Sequence, residues 1–360
     1  MSREVGKSSD EMLDEPTFAA FYVALVVISD AVSLFFIYTV VTKSTAAMKL
    51  YKFAMLKLAI CDLLFNLSVS VLVSPDLLCP LPAFAVRSPI GGISETHAFV
   101  TIAITVAFGI TVFFSISDCC FVRACIFYQW NAFLRKIYSW RGALFLLLAN
   151  GATVSVLVLT LYLAVSTNKE FLAFVTENNL THALGAYASR TDTVYLYVDI
   201  SRPQVFSLVL FIVSVLAGVH SATLIVSRIV WRKIATRKRN MSTKSYQNHR
   251  QLTLLVLFQN LIPAAALSIP VLLIAVSAIT QYESTAFVES VKHLVTFTVV
   301  THPALSALLS FVFIHPYKKF LKSLCCCFSS RRPKRSRVSD IRMNRKVSVG
   351  NESFDSVGYI

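Results

Sequence analysis

The sequence predicts an all-α membrane protein: seven transmembrane helices in one bundle, N-terminus outside and C-terminus inside, with a short amphipathic helix after the seventh span. Three observations predict it. Of the 360 residues, 56% are hydrophobic and only 15% charged, against roughly 25% charged in an ordinary soluble domain. Seven apolar runs are long enough to cross a bilayer, which takes about 20 residues as helix. Lysine and arginine collect in alternate connections, and that asymmetry sets the orientation.

The runs lie at 18–41, 53–73, 98–121, 142–165, 205–227, 252–280 and 291–314. Residues 1–17 form a polar, acidic external tail with none of the pattern of a signal peptide. The seven-helix domain covers 18–314, the amphipathic segment 315–324, and a basic, disordered cytoplasmic tail 325–360. With N outside, the segments on the inner side hold 26 Lys and Arg and those on the outer side 6, while 13 acids lie outside and 3 inside. The net charge of +15 is therefore a topology signal, and nucleic acid is not an expected partner. Asn179-Leu180-Thr181, in the longest external connection, matches a glycosylation acceptor.

The juxtamembrane segment has an apolar helical face at Tyr317, Phe320, Leu321 and Leu324, with Lys318, Lys319 and Lys322 opposite. Such a helix lies along the inner membrane surface. Cys325, Cys326 and Cys327 follow, placed for palmitoylation, and then a run of basic residues through Arg337. An acyl chain with a basic patch makes a two-signal anchor to anionic lipid.

An ionisable group in mid-membrane costs at least about 2.5 kcal/mol on insertion scales. Asp30, Asp62 and Asp118 each fall inside a run. They are expected to face the bundle interior, and Asp30 with Asp62 could bind a cation or share a proton. Lys57 lies near a run's end and is expected to snorkel to the cytosol. Gln259, His220 and His302 are expected to hydrogen-bond between helices. Pro263, Pro270 and Pro303 remove backbone donors and mark kinks in the sixth and seventh helices. No cysteine pair has metal-ligand spacing with histidine, and no phosphate loop or nucleophile–base arrangement stands out. No metal, cofactor or enzymatic activity is expected.

Short motifs add a resemblance. Leu58-Ala59-Ile60-Cys61-Asp62-Leu63 resembles the second-helix signature of rhodopsin-like G-protein-coupled receptors. That pattern then fails: there is no Asp-Arg-Tyr, Gln259-Asn260-Leu261-Ile262-Pro263 replaces Cys-Trp-x-Pro, and residues 166–204 contain no cysteine for the usual disulfide. The chain is more similar to the nematode serpentine chemoreceptors of the Str superfamily, most like its Srh and Sri branches. The carriers are Met48-Lys49-Leu50-Tyr51-Lys52, Pro75 through Pro80, and Phe121-Val122-Arg123. Further along they are His249-Arg250-Gln251-Leu252 with Phe258 through Pro263, His302-Pro303-Ala304-Leu305-Ser306, and His315-Pro316-Tyr317-Lys318. Pro303, often glycine in that family, and Lys318, in place of arginine, depart from it.

The resemblance implies a plasma-membrane chemosensory receptor of sensory neurons, with a small, volatile external ligand and a heterotrimeric G protein as partners. Arg123 is the first candidate for coupling, with Arg228, Lys233, Arg237 and Lys238. The implied ligand pocket lies between the outer halves of helices three, five, six and seven. Its candidates are Thr101, Thr105, Phe108, Ser207, Phe211, Ser277, His293, Thr296 and Phe297. The switch candidates are Asp30, Asp62, Asp118, Gln259, Pro263, His302 and Pro303. The rival functions are a transporter or channel using the three aspartates, and a rhodopsin-like peptide receptor.

Overall fold

The computed structural model describes residues 15–44, 48–73, 76–77, 83–87, 94–166, 168–177, 193–198, 202–268 and 285–329. Asn179, Ser277, Pro270 and the basic tail after residue 329 lie outside them. The spanning helices are α1 (Glu15–Lys43), α2 (Lys49–Leu67), α3 (Glu95–Phe127), α5 (Trp140–Ala164), α7 (Pro203–Arg237), α8 (Thr243–Pro263) and α9 (Thr285–Phe313). Among the described residues, six helices have the length and apolar character to cross a membrane. α8 begins in polar sequence, and much of its apolar run falls after residue 268. Shorter helices are α4 (Asn131–Ile137), α6 (Asn168–Glu177) and α10 (His315–Ser329).

The inside-facing polar residues pack among apolar ones, and large apolar side chains line the outside. Val23, Val27 and Ile28 of α1, Phe145, Leu147 and Leu148 of α5, and Phe206 and Leu210 of α7 are all exposed. In water such a surface would associate; here it meets acyl chains. The main core lies toward one end. Phe36 and Val40 of α1, Met55 and Leu58 of α2, Ile116 and Val122 of α3, Leu255 of α8 and Phe311 of α9 form one buried cluster there. A second cluster of Ile110, Leu157, Val205 and Leu208 joins α3, α5 and α7.

At the opposite end sits a small antiparallel sheet that the hydropathy pattern does not announce. Strands β1 (Asp76–Leu77), β2 (Ala83–Arg87), β3 (Val165–Ser166) and β4 (Thr193–Val198) are ordered β1-β2-β4-β3. β2 and β4 pair along their length, with Val86 opposite Val194. The sequence of β4, Thr-Val-Tyr-Leu-Tyr-Val, is made of strong strand formers, in a segment too short for any spanning window. Its two faces differ. Val194 packs with Val86 and Ala98 at the top of α3, while Tyr195 and Tyr197 stack on Phe171 and Phe174 of α6 at 5.1 and 4.9 Å. The loops on this side are thus tied to α3 by a sheet where rhodopsin-like receptors use a disulfide.

At the core end, side-chain caps start the helices: Ser139 accepts from Gly142 N, and Ser242 from Ser245 N. α3 stops in a tight reversal, with Trp130 N donating to Cys125 O at 2.8 Å and Gln129 N to Ile126 O. The residue in left-handed conformation is Gln129, at φ 60°, where helix ends ordinarily place glycine. A side chain there costs about 1–2 kcal/mol, part of which glycine returns through its freedom in the unfolded chain. Gln129→Gly should therefore stabilise the protein by roughly 0.5–1 kcal/mol, seen as a raised Tm in lipid nanodiscs; a lowered Tm would mean that the Gln129 side chain itself holds the corner.

The amphipathic helix is present and longer than its expected 315–324. Its Tyr317 is fully buried, donating to or accepting from Ser44 at 2.8 Å and meeting Phe36 edge-on at 6.1 Å. Phe320 packs on Phe35, and the Lys43 ammonium lies 4.6 Å from its ring centre. Lys318, Lys319 and Lys322 are exposed, while Tyr317 and Phe320 of the apolar face, expected to lie on the membrane surface, pack against α1.

Candidate functional site

Several polar groups of the bundle bridge a defined pair of helices. At the core end, Arg123 of α3 reaches α8. Its Nη2 donates to His249 Nδ1 at 2.7 Å and to the His249 carbonyl at 3.2 Å. Arginine has no acceptor, so Nδ1 must be the unprotonated nitrogen of a neutral imidazole. The guanidinium is only 5% exposed. A residue expected to meet a partner is, in this conformation, sealed inside the bundle. Among the described residues its Nε has no hydrogen-bond partner, and neither does the buried hydroxyl of Tyr51, which lies within its field. Burial, and then the charge of Arg123, hold the His249 imidazole down to about 4.

The other coupling candidates ring this site. Arg228, Lys233, Arg237 and Lys238 are exposed on the last turns of α7 and just after it. Arg237 lies 5.7 Å from the Phe127 ring, and Lys238 lies 5.6 Å from that of Tyr246. Phe127 in turn meets His249 edge-on at 5.2 Å.

Lys57 does not snorkel to the cytosol as expected; its ammonium pairs with Asp118 of α3 at 2.5 Å. A carboxylate one helix away offsets the charge better than a strained path to the surface. Asp62, 3% exposed, faces His302 of α9 with 3.8 Å between Oδ1 and Nδ1, and Ser306 bonds its carboxyl. Asp30 accepts from Asn66 Nδ2 at 2.7 Å. Each acid thus has its own partner, and Asp30 and Asp62 are bonded to different helices.

Around the kink residues, Gln259 donates to Ser310 of α9 at 3.2 Å, and His220 of α7 bonds Asn260 at 2.9 Å and Ser268 at 3.4 Å. His220 also meets Phe113 of α3 edge-on at 5.6 Å. Pro263 ends the α geometry of α8, and Ala264–Ser268 continue as a π-helical turn. Such turns arise where the regular ladder is interrupted. Pro303 is buried within α9.

The ligand candidates are more dispersed. Thr101 and Thr105 donate to carbonyls of their own helix, at Ala98 and Thr101. Phe108 is half-buried, and Phe211 packs in the α3–α5–α7 cluster. Ser207 is exposed on α7 and bonds back to Pro203. Phe297 is exposed too and stacks on Phe21 of α1 at 6.4 Å. His293 and Thr296 are half-buried on α9.

Sequence reasoning quoted His249, Asn260 and Ser306 within motifs but gave them no role, and gave none to Asn66 or Ser310. Asn66 and Ser306 follow Asp62 and His302 by one helical turn, and Ser310 follows by one more. That i, i+4 repetition of polar residues within apolar runs was the available signal.

A family model described as serpentine type 7TM GPCR chemoreceptor Srh matches residues 14–327. No curated protein matches the chain.

Proposed function

Because the chain belongs to the Srh family of serpentine seven-transmembrane chemoreceptors, we propose that it is a G-protein-coupled chemosensory receptor in which contact between Arg123 and His249 holds the resting state. It is a multi-pass membrane protein, and the proposal puts its basic end in the cytosol and the sheet outside. A small molecule entering from the sheet side shifts the bundle toward a conformation in which α8 parts from α3. It does so only through higher affinity for that conformation. Arg123 is then freed at the cytosolic mouth, amid Arg228, Lys233, Arg237 and Lys238, where a heterotrimeric G protein docks. The π-helical turn after Pro263, bonded to α7 through His220, is the hinge. Cys325, Cys326 and Cys327, in the later turns of α10, are acylated, and Asn179 carries the external glycan.

The observation that carries this reading is the buried charged donor of α3 bonded to α8. It is tested by guanine-nucleotide exchange in membranes containing the receptor and heterotrimeric G proteins, challenged with mixed small odorants. Stimulated exchange is expected from the wild type and not from Arg123→Ala at equal surface expression. Equal exchange from both would remove Arg123 from coupling. A well-folded wild type that drives no exchange with any of several G proteins would overturn the receptor reading.

A further inference from the structure

Two of the three carboxylates inside the spans lie near a basic side chain: Asp118 pairs with Lys57, and Asp62 Oδ1 lies 3.8 Å from His302 Nδ1 without a hydrogen bond between them. Asp30, at mid-depth in α1, has among the described residues the neutral amide of Asn66 on α2 as its hydrogen-bond partner. That amide is itself incomplete. Its Nδ2 donates to Asp30 Oδ1 at 2.7 Å, while its Oδ1, in a side chain with no exposure at all, has no donor. Beside Asp30, the buried hydroxyl of Ser29 also lacks a hydrogen-bond partner. The site therefore presents a carboxylate and, on the same amide that binds it, a desolvated carbonyl oxygen. The two acceptors belong to directly bonded side chains, with one hydrogen bond made between them. Orphaned buried acceptors of this kind are rare and call for an occupant.

The occupant that fits is a cation rich in donors. An ammonium group has three N–H donors and no acceptor, so one donor can meet the Asp30 carboxylate and a second Asn66 Oδ1. A hard divalent metal ion asks for about six oxygens, more than these side chains bring. The carbon chain of an organic ammonium would lie against the exposed apolar side chains of α1, such as Val27 and Leu34. Access exists, since Asp30 is half-buried while Asp62 is closed. The backbone beside Asn66 is irregular as well. α2 gives way to a π-helical stretch at Ser68–Val73, and Ser70 Oγ donates to the Asn66 carbonyl at 2.7 Å. Interruptions of this kind concentrate at functional sites.

We propose that Asp30 and Asn66, at the contact of α1 with α2, form a binding subsite for an organic ammonium ion. The subsite lies apart from the groove expected between helices three, five, six and seven. It extends the receptor reading by naming a ligand class, but binding is measured without a G protein, so the two can fail separately.

The test is thermal melting of the full chain in phosphatidylcholine nanodiscs, titrated with butylammonium chloride, butanol or sodium chloride. Butylammonium is expected to raise Tm saturably in the wild type, and butanol and sodium are not. Asp30→Asn should abolish the saturable rise. Asn66→Ala, which removes the orphaned oxygen but keeps the carboxylate, should shift half-saturation about tenfold upward. No saturable rise in the wild type overturns the subsite, as does an equal rise with butanol, which would report partition into the membrane. A rise with sodium alone would make it a metal-ion site, and an unchanged response in both variants would place the cation elsewhere; either result sinks the proposal.

Discussion

Replacing His249 with alanine should raise ligand-independent nucleotide exchange about tenfold while leaving Arg123 free to couple. A hydrogen bond from a charged donor contributes about 1.5–3 kcal/mol, and its loss weakens only the closed conformation, in which Arg123 Nη2 reaches His249 Nδ1. Even the lower figure shifts the equilibrium roughly tenfold toward the open state. His249→Glu should do the opposite, since an ion pair replaces the neutral acceptor and basal exchange falls below wild type. Acid should act like the alanine variant. With His249 held down to about 4 in the closed state and near its ordinary value of about 6.5 once released, the open state binds the proton more tightly. The contact is then at full strength above about pH 6.5 and is lost as pH falls toward 4. The charged group facing the imidazole is Arg123; Arg250 next to it turns away over Trp231, 5.9 Å from the ring centre. Basal exchange of the wild type should therefore climb between pH 7 and 5, relative to a flat His249→Ala. If alanine and glutamate variants both match the wild type, the contact holds nothing.

How much of this was legible from the residues differs by level. Apolar runs located the helices where lipid surrounds them, because there hydropathy decides. They stopped short where helices continue into water: α7 runs on to Arg237 through a basic stretch, and α8 begins at Thr243, well before its apolar run. Helix propensity and the Ser242 cap govern those turns, and neither leaves a mark on hydropathy. The sheet escaped for the opposite reason. β2 and β4 are short strands lying far apart in sequence, and only their pairing makes them a unit.

The candidate site was legible in its residue types and not in its partners. Periodicity says which face of a helix a residue occupies. It does not say which neighbouring helix supplies the other half of a bond. Arg123 was singled out, and His249 stood in a quoted motif, yet no pattern in the chain couples position 123 to 249. The same holds for Asp62 and His302. Arg123 was expected to meet a G protein, as the resemblance implies; it is buried because α8 brings it an acceptor.

Lys57 and Asp118 give the clearest case of a partner that composition could not assign, and removing one half should have the largest effect on stability. Lys57→Met leaves the Asp118 carboxylate near the C-terminal end of α3 without its paired cation. Breaking a buried pair costs about 3–5 kcal/mol. The side chains here are 36% and 27% exposed, so solvent screens part of that and about 2 kcal/mol is expected. The double variant, Lys57→Met with Asp118→Leu, removes the stranded charge as well. It should return to within about 1 kcal/mol of wild type, because apolar replacements of an ion pair are often neutral. Melting in nanodiscs across the four members of the cycle measures the coupling. A double variant as unstable as the sum of the singles would mean that the two side chains act independently. Recovery would mean that the pair serves chiefly to fix the facing of α2 against α3, because a rotation of either helix would leave both charges in lipid.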